Sequence, residues 1–494
     1  MKFVSTRGGE KVTGAQAVVT GLSANGGLYV PEKFPQVTAA EMEAMLEMGY
    51  AERAAKIIKK YLDEYDSAEL LSACESAYSK FEKSDPAPLV RIDDGVYMLE
   101  LWHGPTCAFK DVALTLLPYL LRKGCDLCGI KEEILVLVAT SGDTGKAALE
   151  GFKDADGVKI TVFYPSDGVS KMQKLQMCTQ DGKNVNVVAV KGNFDDCQTA
   201  VKEIFASETC VNELKRKNIV LSSANSINFG RLVPQIAYYF SAYCDLVSSE
   251  QIEMGEEVDF TVPTGNFGNV LAAYYAKKMG LPVRRLHCAS NENKIIADFL
   301  STGVYDTRRE FYKTTAPSMD ILVSSNLERL LFEVSGRNAK LTAQRMAQLK
   351  DNGVYEITAE ELEKIRETFD GGFADEETSV EAMYGVFEDA GYTMDPHTGC
   401  AMKVAIDWFE KHKKDETKMV IVSTANPYKF PQDVLYAVTG NDVKDSFKGI
   451  KRLHAATAMA VPKCLSGLRD KPLRFTEVVD RKKLFEEILA FVEK

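Results

Sequence analysis

The chain has 494 residues, more than a single hydrophobic core usually holds, so we expect two or three domains. No apolar run approaches the roughly 20 residues that a membrane helix needs, which argues against a membrane protein. The net charge of -11 opposes binding to nucleic acid and to anionic membranes, so any phosphate-bearing ligand requires a local site.

The N-terminus and the cysteines bear on the cellular compartment. Residues 1–9 lack the apolar segment of a secretory signal and the Arg/Ser-rich character of a transit peptide, so we expect a cytoplasmic protein. Eleven scattered cysteines are typical of reduced thiols rather than of a disulfide framework. Cys125 and Cys128 form a lone Cys-x-x-Cys without partners at metal-ligand spacing, and we predict no metal site.

The predicted elements change in kind along the chain. Residues 1–95 contain a glycine-rich loop and then apolar residues at helical spacing, which predicts a mainly helical N-terminal unit. From residue 130 onward, short β-branched runs are each followed by a polar turn and an amphipathic helix, which is typical of parallel βαβ units. The predicted strands lie at 134–138, 158–163, 185–190, 259–262 and 419–422.

These units predict an α/β protein with two open, mostly parallel sheets. We place one α/β domain at residues 96–240 and a larger one at 241–494, the latter ending in a basic loop, from residue 446, and a short helix. Open parallel sheets bind ligands beyond the carboxyl ends of their strands. The candidate functional residues lie on such turns.

The turn Gly265-Asn266-Phe267-Gly268-Asn269 follows an apolar strand and opens a helix. Glycines permit close approach of the backbone, and the helix N-terminus adds partial positive charge, so this turn is suited to a phosphate dianion. It matches neither the P-loop nor the dinucleotide-binding pattern. A tight turn without a ligand is the alternative.

Lys110 ends the segment His103-Gly-Pro-Thr-Cys-Ala-Phe-Lys110, which runs into a helical stretch. Lysine forms a Schiff base with carbonyl cofactors, and burial would lower its pKa toward the neutral amine that this chemistry requires. The alternative is a solvated lysine at a helix start, one of 60 basic residues. His103 is better suited to a hydrogen-bonding role than to general-base catalysis.

Three other turns carry polar residues. Ser141, Asp143 and Thr144 either grip a carboxylate or phosphate or cap a helix. The guanidinium of Arg231 is suited to phosphate, although a surface arginine is the alternative. The remaining candidates are Ser226 and Asn228 near Arg231, and Thr424 at the end of a late strand, where a hydroxyl could meet a pyridine nitrogen.

With these motifs in this order, the chain resembles the threonine synthase family, in the fold type II superfamily of pyridoxal-phosphate enzymes. The resemblance covers nearly the whole chain and includes the segments 5–8 and 27–31. It departs at two positions: Cys107 stands where leucine is common, and Asn426 stands where histidine is common.

The resemblance implies pyridoxal 5'-phosphate as cofactor and the conversion of O-phospho-L-homoserine and water into L-threonine and phosphate. Lys110 would form the Schiff base and carry protons. Related dehydratases, or a non-catalytic relative, are the alternatives, and a monomer or homodimer is expected. The other implied roles are cofactor-phosphate binding by Gly265, Asn266, Phe267, Gly268 and Asn269, a contact of Thr424 with the pyridine nitrogen, contacts of Ser141, Asp143 and Thr144 with the substrate carboxylate or cofactor hydroxyl, and contacts of Ser226, Asn228 and Arg231 with the substrate phosphate.

Overall fold

The fold is that of a computed structural model, which describes residues 1–140, 142–166 and 169–493, without the side chains of residues 194 and 195. In the N-terminal region, Thr13 and Thr38 begin helices through capping boxes, in which side chain and backbone exchange hydrogen bonds. The elements here are β1 (Lys2–Ser5), β2 (Val12–Thr13), α1 (Gly14–Thr20), β3 (Tyr29–Pro31), α2 (Ala39–Leu46), α3 (Tyr50–Tyr61) and α4 (Ser67–Tyr78). The helical character is as predicted, whereas the strands, of two to four residues, are too short to show a period.

The middle of the chain contains the first set of βαβ units. The elements are β4 (Leu89–Asp93), β5 (Val96–Glu100), α5 (Lys110–Leu114), α6 (Leu117–Cys128), β6 (Glu133–Ala139), α7 (Asp143–Phe152), β7 (Val158–Pro165), α8 (Lys171–Cys178), β8 (Val185–Val190), α9 (Phe194–Ala206), α10 (Glu208–Arg216), β9 (Ile219–Ser223) and α11 (Phe229–Ser248).

The next part of the chain contains the second set. The elements are β10 (Val258–Pro263), α12 (Gly268–Lys278), β11 (Val283–Ser290), α13 (Ile295–Thr302), β12 (Val304–Asp306), α14 (Leu327–Val334), α15 (Ala339–Asn352), β13 (Val354–Glu356), α16 (Ala359–Arg366), β14 (Phe369–Phe373), α17 (Glu376–Ala390), α18 (Pro396–Lys411) and β15 (Met419–Ser423).

The C-terminal region is more structured than the predicted basic loop. Ser446–Thr457 forms a helix because Asp445 caps it and because two of its own side chains, Ile450 and Leu453, are buried in the core. The elements are α19 (Pro431–Thr439), α20 (Ser446–Thr457), α21 (Lys463–Ser466), β16 (Val478–Val479) and α22 (Leu484–Val492), with short 3-10 helices at Pro317–Met319, Pro427–Lys429, Leu468–Asp470 and Arg481–Lys483.

Two large sheets organise the fold, which confirms the α/β prediction. The smaller has the strand order β16-β8-β7-β6-β9 and is parallel throughout. The larger has the order β14-β11-β10-β15-β5-β4 and is parallel except at the β4–β5 pair. In β6, alternate residues pack into cores on opposite faces of the smaller sheet, which explains its uninterrupted apolar run.

The predicted division into domains at residues 95 and 240 follows chain order. The sheets do not, because neither takes all of its strands from one continuous stretch of the chain. β5 lies beside β15, over 300 residues later in the chain, so the turn after β5 reaches the carboxyl edge of the larger sheet before the chain builds the smaller one. β16 and α22 return from the larger sheet and pack on the smaller one. No helix in the described ranges is both long and apolar enough to cross a membrane.

Candidate active site

Lys110 is the first residue of α5 and follows a tight turn that begins after β5. Thr106 stabilises the turn, since its amide and hydroxyl donate to the two carboxylate oxygens of Asp111 at 2.8 and 2.5 Å. Gly104 is required here, because a Cβ at that position would lie 2.4 Å from the Cβ of Asp111. The amide of Phe109 donates to the carbonyl of Thr424 at 2.9 Å, which fixes the turn against the end of β15.

The amine of Lys110 is almost enclosed, with 11% of the side chain exposed. Its Nζ donates to Ser318 Oγ at 3.2 Å and lies 3.5 Å from Asp143 Oδ2. Burial lowers the pKa of Lys110, Asp143 opposes that effect, and the nearby charges of Lys429 and Arg231 reinforce it. Lys110 is therefore closer to a neutral, nucleophilic amine than an exposed lysine.

Asp143, at the start of α7, connects two lysines. Its Oδ1 accepts from Lys429 Nζ and from Gln173 Nε2, each at 2.9 Å, while Oδ2 faces Lys110. Burial alone would raise the pKa of Asp143, but the charges of Lys429 and Lys110 outweigh it and hold that pKa far below the ordinary value. The carboxylate therefore stays ionised and accepts hydrogen bonds only.

The other residues of this turn are less constrained. Thr144 is half-buried in the first turn of α7, beside Asp143. Ser141 lies outside the described residues.

The predicted glycine turn precedes α12 as expected. Phe267 has a left-handed backbone, with φ of 59°, and no described side chain caps the helix, so its first amides remain available to an anion. A Cβ on Gly265 would lie 2.6 Å from the carbonyl oxygen of Ser318, the residue whose hydroxyl meets Lys110. Ser318 therefore joins the glycine turn to the lysine.

The glycine turn is also held by Ser325 and Asn326. The exposed Asn266 accepts a hydrogen bond from Ser325 Oγ at 3.1 Å through Oδ1. Its carbonyl accepts from Asn326 Nδ2 at 3.0 Å. Gly268 is half-buried at the helix start, and a Cβ added there would lie 3.5 Å from Asn326 Nδ2, an ordinary contact distance.

Several buried polar atoms near this turn have no hydrogen-bond partner in the described part of the chain: Nε of Arg231, Nδ2 of Asn269 and Oδ1 of Asn225. Asn269 accepts from Tyr239 at 2.8 Å and from Tyr238 through Oδ1, so its amide nitrogen alone is unused. Buried polar groups normally have partners, so these atoms indicate a site built for a polar ligand.

Arg231 is buried in the first turns of α11 with no described carboxylate in an ion pair with it. It donates to the carbonyl of Ala224 at 2.7 Å, and burial lowers its pKa to about 10. A buried cation without a counter-charge is costly, and an anionic ligand removes that cost. The charge of Arg231 also lowers the pKa of Lys110, so the two side chains lie within electrostatic range of each other.

The remaining predicted residues divide into two groups. Ser226 lies at the glycine turn, with its Oγ 3.5 Å from that of Ser325. Thr424 is buried beside the lysine turn, and its carbonyl accepts the hydrogen bond from the Phe109 amide of that turn. The side chain of Asn228, by contrast, is committed within the fold: it donates to the carbonyls of Val18 and Ser223 and accepts from the amide of Gly230 in the first turn of α11.

The N-terminal region supports the glycine turn indirectly, through residues 326–329. Arg7 forms a two-pronged ion pair with Glu328, with N···O distances of 2.9 and 2.7 Å. Arg329, which follows Glu328, donates to the side-chain oxygen of Asn326. The side-chain nitrogen of Asn326 in turn donates to the carbonyl of Asn266. The N-terminal unit therefore fixes the position of the turn.

Ser318, Lys429 and Gln173 touch the site but were not predicted from the sequence. Ser318 lies in the short 3-10 helix Pro317–Met319, which a buried pair positions: the amide of Ser318 donates to His397 Nε2 at 3.0 Å, and His397 Nδ1 lies 2.6 Å from Asp395 Oδ2. His397 is therefore the tautomer protonated at Nδ1. No local pattern distinguishes these residues, since the tertiary fold alone brings them to Lys110.

Comparison with known proteins agrees with this geometry. The chain matches the family models for the threonine synthase N terminus over residues 2–78, for pyridoxal-phosphate dependent enzymes over 85–425, and for the threonine synthase C-terminal region over 398–489. It is 38% identical to threonine synthase of Pseudomonas aeruginosa, with 89% of this chain and 91% of that protein covered. It is 39% identical to threonine synthase-like 1 of Macaca fascicularis over 87% of this chain, but it spans only 59% of that longer protein.

Solved structures give the same result. The structure of threonine synthase from Brucella melitensis with bound PLP has a TM-score of 0.88 and 36% identity, and both chains are covered completely. The yeast threonine synthase structure has a TM-score of 0.87 and 30% identity, covering 100% of this chain and 98% of that one.

Proposed function

The chain belongs to the threonine synthase family of pyridoxal-phosphate-dependent enzymes, and from this premise we propose that it is a carbon–oxygen lyase that makes L-threonine and phosphate from O-phospho-L-homoserine and water. In this reaction phosphate leaves the γ-carbon and water adds at the β-carbon.

The observation that carries the substrate assignment is the buried Arg231. The glycine turn offers amides for one phosphate, the phosphate of the cofactor, and Arg231 adds a second anion site beside Lys110. A dehydratase acting on an unphosphorylated amino acid has no second phosphate to place there. The lack of a described carboxylate partner for Arg231 therefore favours a phosphorylated substrate.

The residues present fit pyridoxal 5'-phosphate. We propose that Lys110 holds it covalently, that residues 265–269 bind its phosphate, with Asn269 Nδ2 as an unused donor nearby, and that Thr424 faces its pyridine nitrogen. When bound, the cofactor supplies an electron sink for the carbanions that the reaction requires. Asp143, as an ionised acceptor, suits the cofactor hydroxyl, which leaves the substrate carboxylate to Ser141 and Thr144.

Lys110 is proposed to carry the protons. Its lowered pKa favours the neutral amine, the form of Nζ that can accept a proton, and Asp143, 3.5 Å away, stabilises the ammonium that results. Ser318 orients the same atom through its hydroxyl. Arg231, with Ser226 as a neighbouring hydroxyl, would bind the phosphate of the substrate and stay with it as it departs.

The test is incubation of the purified protein with O-phosphohomoserine, with threonine and inorganic phosphate measured together. We expect equal amounts of both, and no turnover by the Lys110→Ala variant. Lys350→Ala, which replaces an exposed lysine, is the matched control and should retain full activity. Ammonia release in place of phosphate would identify a dehydratase, and turnover by a folded Lys110→Ala protein would refute the role of Lys110.

The setting of the enzyme is also a proposal. We propose that it acts in the cytoplasm as a monomer or homodimer, without nucleic acid, and the net charge of -11 supports the last point. Light scattering coupled to size-exclusion chromatography measures the oligomeric state directly.

A further inference from the structure

Two thiols face each other beside the lysine turn. The Sγ atoms of Cys107 and Cys464 are 3.1 Å apart, although 357 positions separate the residues in the chain. Cys107 is in the turn that precedes Lys110, and Cys464 is in α21. Among the described residues no other two cysteine sulfurs are hydrogen-bonded to each other.

The two cysteines differ in exposure and in freedom. Cys107 is 2% exposed, and its backbone is held on both sides by hydrogen bonds to Gly104 and from Asn426, each 3.0 Å long. Cys464 is half-buried in a four-residue helix. A small oxidant can therefore reach Cys464 first, with Cys107 placed behind it as the second thiol.

The surroundings also favour a reactive Cys464. Its hydrogen bond with Cys107 lowers its pKa, burial opposes this, and the charge of Lys429 lowers it further. In Cys107 the same hydrogen bond, together with burial, raises the pKa. Because the thiolate is the nucleophile in cysteine oxidation, Cys464 is the one expected to attack.

We propose that Cys107 and Cys464 form a peroxide-sensitive pair whose reversible oxidation to a disulfide controls the enzyme. The Cys464 thiolate attacks one oxygen of hydrogen peroxide, the O–O bond breaks, hydroxide leaves, and a sulfenic acid forms on Cys464. The Cys107 sulfur then attacks Cys464 Sγ and expels the sulfenic oxygen as water. Two thiols have lost two electrons and two protons, and the peroxide has become two waters. A dithiol reductant reverses the reaction by exchange.

The disulfide would act on the site through the C-terminal strap, which we define as residues 458–477. Leu465 and Leu468 anchor the strap in the core of the larger sheet, and the amide of Arg474 donates to the carbonyl of Cys178 near the smaller one, at 2.8 Å. The bond would thus fasten the lysine turn to a segment that spans both sheets.

Oxidation would also pull on the lysine turn, because closing the gap draws Cys107 as well as the freer Cys464. A disulfide has an S–S length of about 2.05 Å, so the two sulfurs must approach by roughly 1 Å. Cys107 is three residues before Lys110, and a shift of about 1 Å at a reacting group can cost roughly 100-fold in rate. We therefore expect the oxidised enzyme to be at least about tenfold less active.

The test is titration of the cofactor-loaded enzyme with hydrogen peroxide in thiol-free buffer. Wild-type protein should lose two free thiols first, yield a Cys107–Cys464 linked peptide by mass spectrometry, lose at least about tenfold in kcat, and recover with dithiothreitol. Cys464→Ser and Cys107→Ser should form no link and resist the reversible loss. The double variant Cys128→Ser/Cys210→Ser, which removes the other half-buried thiols, should respond like wild type.

Two results would overturn the proposal: oxidation of other cysteines with no Cys107–Cys464 link, or a link that leaves kcat and KM unchanged. The peptide link does not depend on the proposed function. If the protein proves inactive on O-phosphohomoserine before oxidation, the proposed function is wrong. The linked peptide, together with a dithiol-reversible rise in melting temperature, then still tests whether Cys107 and Cys464 form a disulfide.

Discussion

Replacing Lys429 by methionine tests whether a buried ion pair keeps Asp143 ionised. Methionine has similar length and no charge, so the change removes the ammonium 2.9 Å from Asp143 and a hydrogen bond to the carbonyl of Thr106, also 2.9 Å long. Removing one partner of a buried pair costs roughly 3–5 kcal/mol. Because Lys110 remains 3.5 Å from Asp143, we expect the free energy of unfolding to fall by an amount at the lower end of this range, about 3 kcal/mol.

The same substitution should change the titration of Lys110. Lys429 repels the charged form of Lys110 and competes for Asp143, so its removal raises the pKa of Lys110. The neutral amine then appears only at higher pH. The acidic limb of the kcat–pH profile should therefore move to higher pH, with at least about a tenfold loss at pH 7.

A double-mutant cycle separates these effects. Urea unfolding is measured for wild type, Lys429→Met, Asp143→Asn and the double variant, all without cofactor. The double variant buries neither charge, so it should be more stable than Lys429→Met, with a coupling energy of roughly 2 kcal/mol. A Lys429→Met protein within about 0.5 kcal/mol of wild type, together with a coupling energy near zero, would refute the reasoning.

Two further changes test the glycine turn and a buried carboxyl. Gly265→Ala places a Cβ 2.6 Å from the Ser318 carbonyl, so affinity for the cofactor should fall at least about tenfold. Gly385→Ala, which adds a Cβ in α17 with nothing within 4 Å of it, should bind the cofactor normally, and equal affinities of the two variants by fluorescence titration would contradict this. Burial raises the pKa of Glu333 to about 7 from an ordinary 4.5, so the folded state keeps a proton that the unfolded state has lost, and stability falls as pH rises through that window. Between pH 5 and 8, Glu333→Gln should remove up to roughly 3 kcal/mol of this loss of stability, whereas the exposed Glu360→Gln should not. Urea midpoints of Glu333→Gln identical to those of wild type at both pH values would count against the idea.

The sequence predicts those parts of this protein that depend on local pattern. The five strands and the turns bearing Lys110, Gly265 and Arg231 follow from the alternation of apolar runs with polar turns, because the carboxyl ends of parallel strands share one edge. Lys429 and Ser318 could not be predicted, since the partners they meet are hundreds of residues away in the chain. The contacts of the Asn228 side chain could not be predicted either, because its amide pairs with a carbonyl 210 residues away.

The charges near Lys110 explain how an acidic chain could take up the proposed phosphate ester. At physiological salt, charges are screened over roughly 8 Å, so the surface carboxylates behind the net charge of -11 contribute little inside the site. Within it, Asp143 is balanced by Lys429, and Arg231 has no described carboxylate beside it. With Lys110 bound covalently as proposed, Arg231 would remain a buried cation with no counter-charge among the described residues. An anionic ligand would remove the cost of burying this charge, so the proposed site should be most stable with a phosphate in place.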